Sequence, residues 1–183
     1  MNTLRRTGVL ALALMLIASS GFADDSASLK VAASRALSLA VVDLDRKNPA
    51  SDALHDAFKE SLSYEMSQLC QMPTPIKPVK LDAARAGWGL GTGTYDAAVV
   101  IGGTVPKAMI SSGFTVTKAT PASGDPKRMI CLVTRNEDPG LAKLLAQSFP
   151  EALKGPFFQK ALLRYSGAPE TEATDWKIAG LAN

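Results

Sequence analysis

The sequence predicts an α/β domain with a single layered, mainly parallel sheet flanked by helices. Two patterns lead to this fold class. Short apolar runs, several rich in β-branched residues, are typical of buried strands, and they alternate with segments whose apolar residues recur at helical spacing. Strands that alternate with helices usually form a parallel, layered sheet. We expect this domain to span residues 35–167 and a C-terminal tail to follow at residues 168–183.

The first strand and the first helix are predicted from the opening part of this domain. Ala36–Val42 is apolar and typical of a buried strand. After a charged turn, Asn48 and Pro49 are typical of a helix start, because an asparagine side chain can cap the first turn and a proline presets φ. The helix is predicted to continue to Leu69. One apolar stripe of this helix should face the sheet: Leu54, Phe58, Leu62, Met66 and Leu69.

Two further strands and a short helix are predicted next. Ile76–Leu81 alternates in polarity and contains Pro78, which favours an edge strand. Leu81–Trp88 is expected to be a short helix, and the glycine-rich run Gly87–Thr94 is expected to end it as a turn. Tyr95–Ile101 is predicted to be a buried strand.

The C-terminal half of the domain is predicted to add two strands and two helices. Phe114–Thr120 alternates apolar and polar residues, and Arg128–Thr134 is strongly apolar. Pro139 and Pro156 each stand where a helix would begin. The remaining residues are mostly polar, so we expect a tail that packs through Trp176.

The N-terminal residues predict a cleavable signal peptide, residues 1–23, followed by a flexible leader, residues 24–34. Arg5 and Arg6 give a positive start, and the apolar run Val9–Ala18 leads to small residues suited to cleavage. A spanning helix needs roughly twenty apolar residues, so this run suits a signal peptide better than an anchor. We therefore expect an exported, periplasmic protein with no membrane anchor after cleavage.

The charge balance argues against a nucleic-acid partner. The chain has 20 basic and 17 acidic residues. The predicted cleavage removes Arg5 and Arg6 and no acid, so the mature chain would be nearly neutral. Nucleic-acid binding normally requires a concentrated basic surface, which this composition does not indicate.

Two cysteines, Cys70 and Cys131, permit one disulfide in an oxidising compartment. The alternative is two buried thiols, and it stays open because sequence spacing does not fix the Cα separation. A metal site is not predicted. The single histidine, His55, lies far in sequence from both cysteines, whereas tetrahedral sites usually contain close ligand pairs.

No catalytic set is predicted, and no cofactor is expected. With His55 as the single histidine, the chain offers little material for a nucleophilic triad. This histidine is expected to be a surface or half-buried residue of the first helix. The run Gly87–Gly93 is only superficially similar to a phosphate loop, because it precedes a strand and lacks the Gly-Lys-Ser/Thr ending.

The candidate binding residues follow the first and third strands, because ligands of parallel sheets bind beyond the carboxyl ends of the strands. They are Asp43, Asp45 and Ser51 after the first strand, and Gly103, Thr104 and Lys107 after the third. The two aspartates are suited to orient an amine, and the helix start offers amide donors. The glycine turn with its threonine and lysine is suited to an anion. The alternative is that these six residues are ordinary turn residues, helix caps or solvated surface residues.

Several of these patterns resemble the type II periplasmic solute-binding proteins over roughly residues 36–167. Leu90, Gly93 and Asp96–Val100 are similar to a leucine–glycine–aspartate passage of that family. Gly102–Lys107 is similar to the glycine and threonine-proline-like turn of its amino-acid binders, and Lys107 falls where they carry a carboxylate-binding arginine. The segment Leu141–Gly167 is similar to the family's last pair of helices.

The resemblance implies a binding protein for a small anionic or zwitterionic solute, similar to the substrate-binding component of an ABC transporter. The chain departs from the family in one respect. Only Val105–Lys127 lies where members cross into a second lobe, and this segment is too short for a lobe of ordinary domain size. The departure implies an alternative, in which a single lobe has lost ligand capture and is an accessory partner of another periplasmic protein.

Overall fold

The computed structural model describes residues 36–43, 47–110, 113–169 and 175–181. The predicted signal peptide and leader lie outside these residues, as does Asp45. Across the described ranges, the helices are all too short or too polar to cross a membrane.

Six strands in the described part of the chain form one open sheet in the order β2-β1-β3-β5-β4-β6. The strands are β1 (Leu37–Asp43), β2 (Ile76–Lys80), β3 (Ala97–Ile101), β4 (Phe114–Pro121), β5 (Ile130–Arg135) and β6 (Trp176–Leu181). Strand β1 pairs in parallel with β2 and β3, whereas the pairs β3–β5, β4–β5 and β4–β6 are antiparallel. The α/β class is confirmed, but the sheet is mixed rather than mainly parallel.

The connection between β4 and β5 explains why these two strands are antiparallel. Residues 122–129 join these strands without a helix, apart from a single 3-10 turn at Pro126–Arg128. A parallel crossover needs about a dozen residues or more, so this connection returns the chain beside β4 in the opposite direction. The rule that predicted a parallel sheet applies to β1, β2 and β3, which are separated by helices.

In the described ranges, four helices cover the two faces of the sheet. They are α1 (Ser51–Cys70), α2 (Ala83–Gly91), α3 (Pro139–Ala152) and α4 (Pro156–Ser166). The larger core lies between the sheet and α1, α3 and α4, where each helix contributes one phenylalanine: Phe58, Phe149 and Phe158. The ring of Phe58 meets the other two edge-on, with centroids 6.3 and 5.5 Å apart. Such pairs each add about 0.5–1.5 kcal/mol beyond area burial.

The opposite face of the sheet is covered by α2 and by a 3-10 turn, Lys107–Met109. Alternate residues of the central strand β3 point to the two faces, so Val99 belongs to the larger core and Val100 to the smaller one. Because β3 is buried on both faces, its sequence is apolar without interruption, as predicted.

The start of α1 differs from the prediction. The helix begins at Ser51, and Asn48 does not cap it. Instead, Asn48 Oδ1 accepts a hydrogen bond of 3.0 Å from the amide of Ala50, and its Nδ2 donates one of 2.7 Å to the carbonyl of Tyr165. Asn48 therefore connects the start of α1 to the end of α4.

Three of the glycines that were expected to form a turn, Gly87, Gly89 and Gly91, lie within α2, which continues to Gly91, whereas Gly93 lies in the turn that follows the helix. A Cβ atom at Gly87 would lie 2.7 Å from the carbonyl oxygen of Ala108, and one at Gly89 would overlap the ring of Tyr95. Gly87 and Gly89 therefore allow close packing against two neighbouring segments. This packing offsets the helix-propensity cost of about 1 kcal/mol for each of these two glycines.

Strand β6 lies in the segment for which the sequence predicts a tail. It pairs with β4 at one edge of the sheet, and Trp176 packs against the larger core as expected. The next residues, Lys177, Ile178 and Ala179, are all exposed. The strand therefore lacks the alternating polarity by which it would be recognised in a sequence.

The two cysteines are free thiols. Cys131 of β5 belongs to the smaller core, whereas Cys70, at the end of α1, packs against the larger one. Because the sheet separates these two cores, the disulfide that the sequence permits is not formed. The structure instead contains two separate thiols, which is the alternative that the sequence left open.

Candidate functional site

A cavity of about 360 Å³ lies where β1 and β2 end and α1 begins. Its polar lining consists mainly of Lys47, Ser51, Asp52, His55 and Lys80. Since β1 and β2 are parallel, their carboxyl ends share one edge of the sheet, and α1 starts above that edge. The cavity therefore occupies the position at which α/β sheets usually bind ligands.

Two buried polar side chains form the inner wall of the cavity. Ser51 is 6% exposed and His55 is 3% exposed. They are four residues apart and thus on one side of α1, with Ser51 Oγ 3.5 Å from His55 Nε2. The expectation that His55 is a surface or half-buried residue is wrong, because the ring lies under the first turns of the helix.

The outer rim of the cavity is charged. Lys47 is exposed, and Lys80 forms an ion pair with Asp52 in the first turn of α1. Both partners of that pair are largely exposed to solvent, and exposed ion pairs contribute about 0–1 kcal/mol. Lys80 can therefore exchange the Asp52 carboxylate for another anion at little cost.

These features together suit a small anion. The N-terminus of a helix carries a partial positive charge, and α1 has 20 residues. Among the described residues that line the cavity, two lysines and one aspartate give the rim a positive balance, and Asp52 could pair with an amino group in place of Lys80. A cavity of this volume lies within the range of about 300–1,000 Å³ typical of small-molecule sites.

The structure brings only some of the predicted binding residues together. Ser51 lines the cavity, and Asp43 is the last residue of β1 at the same edge. Asp45 lies outside the described residues. Gly103 and Thr104 follow β3 and do not line the cavity.

Lys107 lies apart from Ser51. It is exposed in the 3-10 turn that packs with α2, on the face of the sheet opposite α1. At the end of β3 itself, a Cβ atom on Gly102 would lie 3.1 Å from the hydroxyl of Tyr165. The side chain of Tyr165 thus approaches the strand end where the sequence places half of the site.

Sequence reasoning missed Lys47, His55 and Lys80 as site residues. Two signals were present. His55 follows Ser51 by four residues, which places both on one side of a helix. Lys80 ends a strand that precedes a helix, and such a strand end belongs to the same edge as the end of β1. The sequence does not show that β2 lies next to β1 in the sheet.

Within the described ranges, no three His, Cys, Asp or Glu side chains are close enough together to hold a metal ion. Comparison of the chain with protein-family models, with curated proteins and with solved structures finds no match.

Proposed function

We propose that this chain is a binding protein for a small anionic or zwitterionic solute, which it holds in the cavity at the N-terminus of α1. One observation carries the proposal: a cavity of ligand size with two lysines on its rim opens at a helix N-terminus, beyond the ends of two parallel strands. The proposal includes the expectations from the sequence that the protein is exported to the periplasm and is related to one lobe of the type II solute-binding proteins. The α/β architecture is compatible with that relation.

In the proposed complex, the anionic group of the solute lies at the first turn of α1. Ser51 supplies a hydroxyl group, and Lys80 supplies a charge after leaving Asp52. Lysine is a compact point charge with rotatable donors, so it selects for charge more than for the planar shape of a carboxylate. Asp52 would then be free to pair with the amino group of a zwitterion.

Calorimetric titration with a panel of amino acids, small organic acids and inorganic phosphate tests this proposal. For a solute that binds, Lys80→Gln should weaken the affinity about tenfold, which corresponds to ~1.4 kcal/mol. Lys77→Gln is the matched control, because Lys77 is an exposed lysine of the same strand and does not line the cavity. A wild-type protein that binds no member of the panel, or equal losses in the two variants, would contradict the proposal.

A second function, docking on another exported protein, is favoured by the apolar surface near α2. Trp88 is 70% exposed on that helix, and Ile110 is exposed at the end of the adjoining 3-10 turn. Exposed apolar side chains on two adjoining elements are typical of surfaces that contact other proteins. If this function holds, Trp88→Ser should lose a specific protein that the wild type captures from a periplasmic extract. An unchanged set of captured proteins would contradict it.

A further inference from the structure

The buried side chains of Ser51 and His55 bring a nucleophile and a base together in the cavity beside α1. Ser51 Oγ lies 3.5 Å from His55 Nε2, and both residues line the cavity, so a molecule inside it meets the two side chains together. A serine hydroxyl is a weak nucleophile by itself, and an adjacent imidazole that accepts its proton activates it. Such pairs are often further apart before substrate binds than in the reacting complex. The observed distance is therefore compatible with proton transfer once a substrate occupies the cavity.

Ser51 also holds a position in the helix that favours a nucleophile. It is the first residue of α1, and its own amide donates to the carbonyl of Asn48. The amides of the next two residues, Asp52 and Ala53, belong to the first turn, where no carbonyl of the helix precedes them by four residues. This end of the helix carries a partial positive charge. A carbonyl oxygen that becomes negative beside Ser51 is therefore stabilised by the start of α1.

The other serines in the middle of α1 have a structural role. The hydroxyl groups of Ser61, Ser63 and Ser67 each donate a hydrogen bond of 2.6 to 2.7 Å to a backbone carbonyl. Ser51 differs from them because its hydroxyl lies beside the single histidine of the chain and in the wall of a cavity. One histidine is sufficient for this chemistry, since a serine nucleophile needs one imidazole to accept its proton.

We propose that Ser51 and His55 hydrolyse small carboxylic esters in this cavity as nucleophile and general base. Ser51 Oγ attacks the carbonyl carbon while His55 Nε2 takes the hydroxyl proton, and the start of α1 stabilises the negative carbonyl oxygen. The bond between the carbonyl carbon and the ester oxygen then breaks, and the alcohol leaves with that proton. Water attacks the acyl group on Ser51, with the same histidine as base, which releases the carboxylic acid and restores the serine.

The charged rim of the cavity defines the class of ester. Lys47 and Lys80 lie at this rim, so an ester that carries a carboxylate away from its reacting group is favoured over a neutral ester. This part of the inference rests on the proposed function, because it assigns Lys80 the same anion. The reaction at Ser51 does not depend on it.

Hydrolysis of 4-acetoxybenzoate, combined with peptide mass spectrometry, tests the inference. Folded wild-type protein should release 4-hydroxybenzoate over many turnovers and, when quenched in acid, carry an acetyl group on Ser51. Ser51→Ala and His55→Gln should each slow the release about a hundredfold or more, because each removes the nucleophile or its base. Ser51→Cys should still accept the acetyl group, since a thiol can replace the hydroxyl. Ser123→Ala is the control, because Ser123 is exposed and does not line the cavity, and it should leave the rate unchanged.

The methyl ester of 4-acetoxybenzoate tests the class of ester, because it has the same acetyl group and no negative charge. Lys80→Gln should slow hydrolysis of 4-acetoxybenzoate about tenfold and leave hydrolysis of the methyl ester unchanged. Equal effects on the two esters overturn the preference for an anionic ester.

The wild-type measurement decides the reaction itself, whatever the folding of the variants. Folded wild-type protein without an acetyl group on Ser51, or with acetyl groups on lysines alone, overturns the inference even where calorimetry finds a bound solute. Acetylated Ser51 in a protein that binds no member of the solute panel contradicts the proposed function and supports the inference. Circular dichroism must give native spectra for each variant whose rate is compared.

Discussion

Cys70 and Cys131 have different environments, and their reactivities should differ accordingly. Burial raises the pKa of the Cys131 thiol to about 11, and the nearby charge of Lys118 opposes this increase. Since the thiolate is the reactive form, a raised pKa and a lack of access both protect Cys131 from alkylation. Cys70 is half-buried at the end of α1, and it is accessible by comparison.

Alkylation followed by mass spectrometry should therefore give two steps. In native protein near pH 8, Cys70 should react at least ten times faster than Cys131. Both should react completely in unfolded protein to which no reductant has been added. Unfolded, unreduced protein in which neither cysteine reacts would contradict the structure, because that result requires a disulfide.

Some single residues of the candidate site could be predicted from the sequence, and others could not. Ser51 was predicted because a small polar residue at a helix start, beyond a strand end, has a local signature. Lys80 was not predicted, because its role depends on which strand neighbours β1. Lys107 was placed in the site by its order in the chain, but the connection after β3 carries it to the other face of the sheet.

At the scale of elements, α2 provides a matched pair of glycines. Gly89 packs against the ring of Tyr95, whereas nothing lies within 4 Å of a Cβ atom placed on Gly91. Both residues belong to the same helix, and neither has a positive φ. The two positions therefore differ mainly in the space around them.

Gly89→Ala should lower the free energy of unfolding by about 1–3 kcal/mol, because the added methyl group displaces the Tyr95 ring. Gly91→Ala should leave that free energy unchanged or raise it by about 0.5–1 kcal/mol, since alanine is favoured over glycine in a helix. Urea denaturation of both variants measures the difference. Equal effects would show that close packing is not the reason for glycine at position 89.

The predictable elements are those whose apolar pattern is complete in the local sequence. The runs that became β1 to β5 were found, with β2 at an edge as predicted, and so were the helices α1 to α4, because each presents apolar residues to a core. Strand β6 was not predicted, since it lies at the sheet edge and exposes three consecutive residues after Trp176. Its position depends on hydrogen bonds to β4, which leave no pattern in its own sequence.

At the scale of the whole molecule, alternating strands and helices were sufficient to predict the α/β class. These patterns were not sufficient to predict the direction of every strand. Strand β5 enters the sheet between β3 and β4 and runs against both. The connection from β4 to β5 is short and has no crossover helix, so those two strands are antiparallel. The parallel part, β2-β1-β3, nevertheless includes the strand ends at which the cavity beside α1 opens.

We propose that the solute binds at the start of α1 and not at the glycine turn after β3. Calorimetry of one binding solute with wild type, Lys80→Gln and Lys107→Ala distinguishes these two positions through the dissociation constant. We expect an affinity loss of about tenfold, or ~1.4 kcal/mol, for Lys80→Gln and no change for Lys107→Ala, because Lys107 does not line the cavity. A loss confined to Lys107→Ala would instead place the site at the turn after β3.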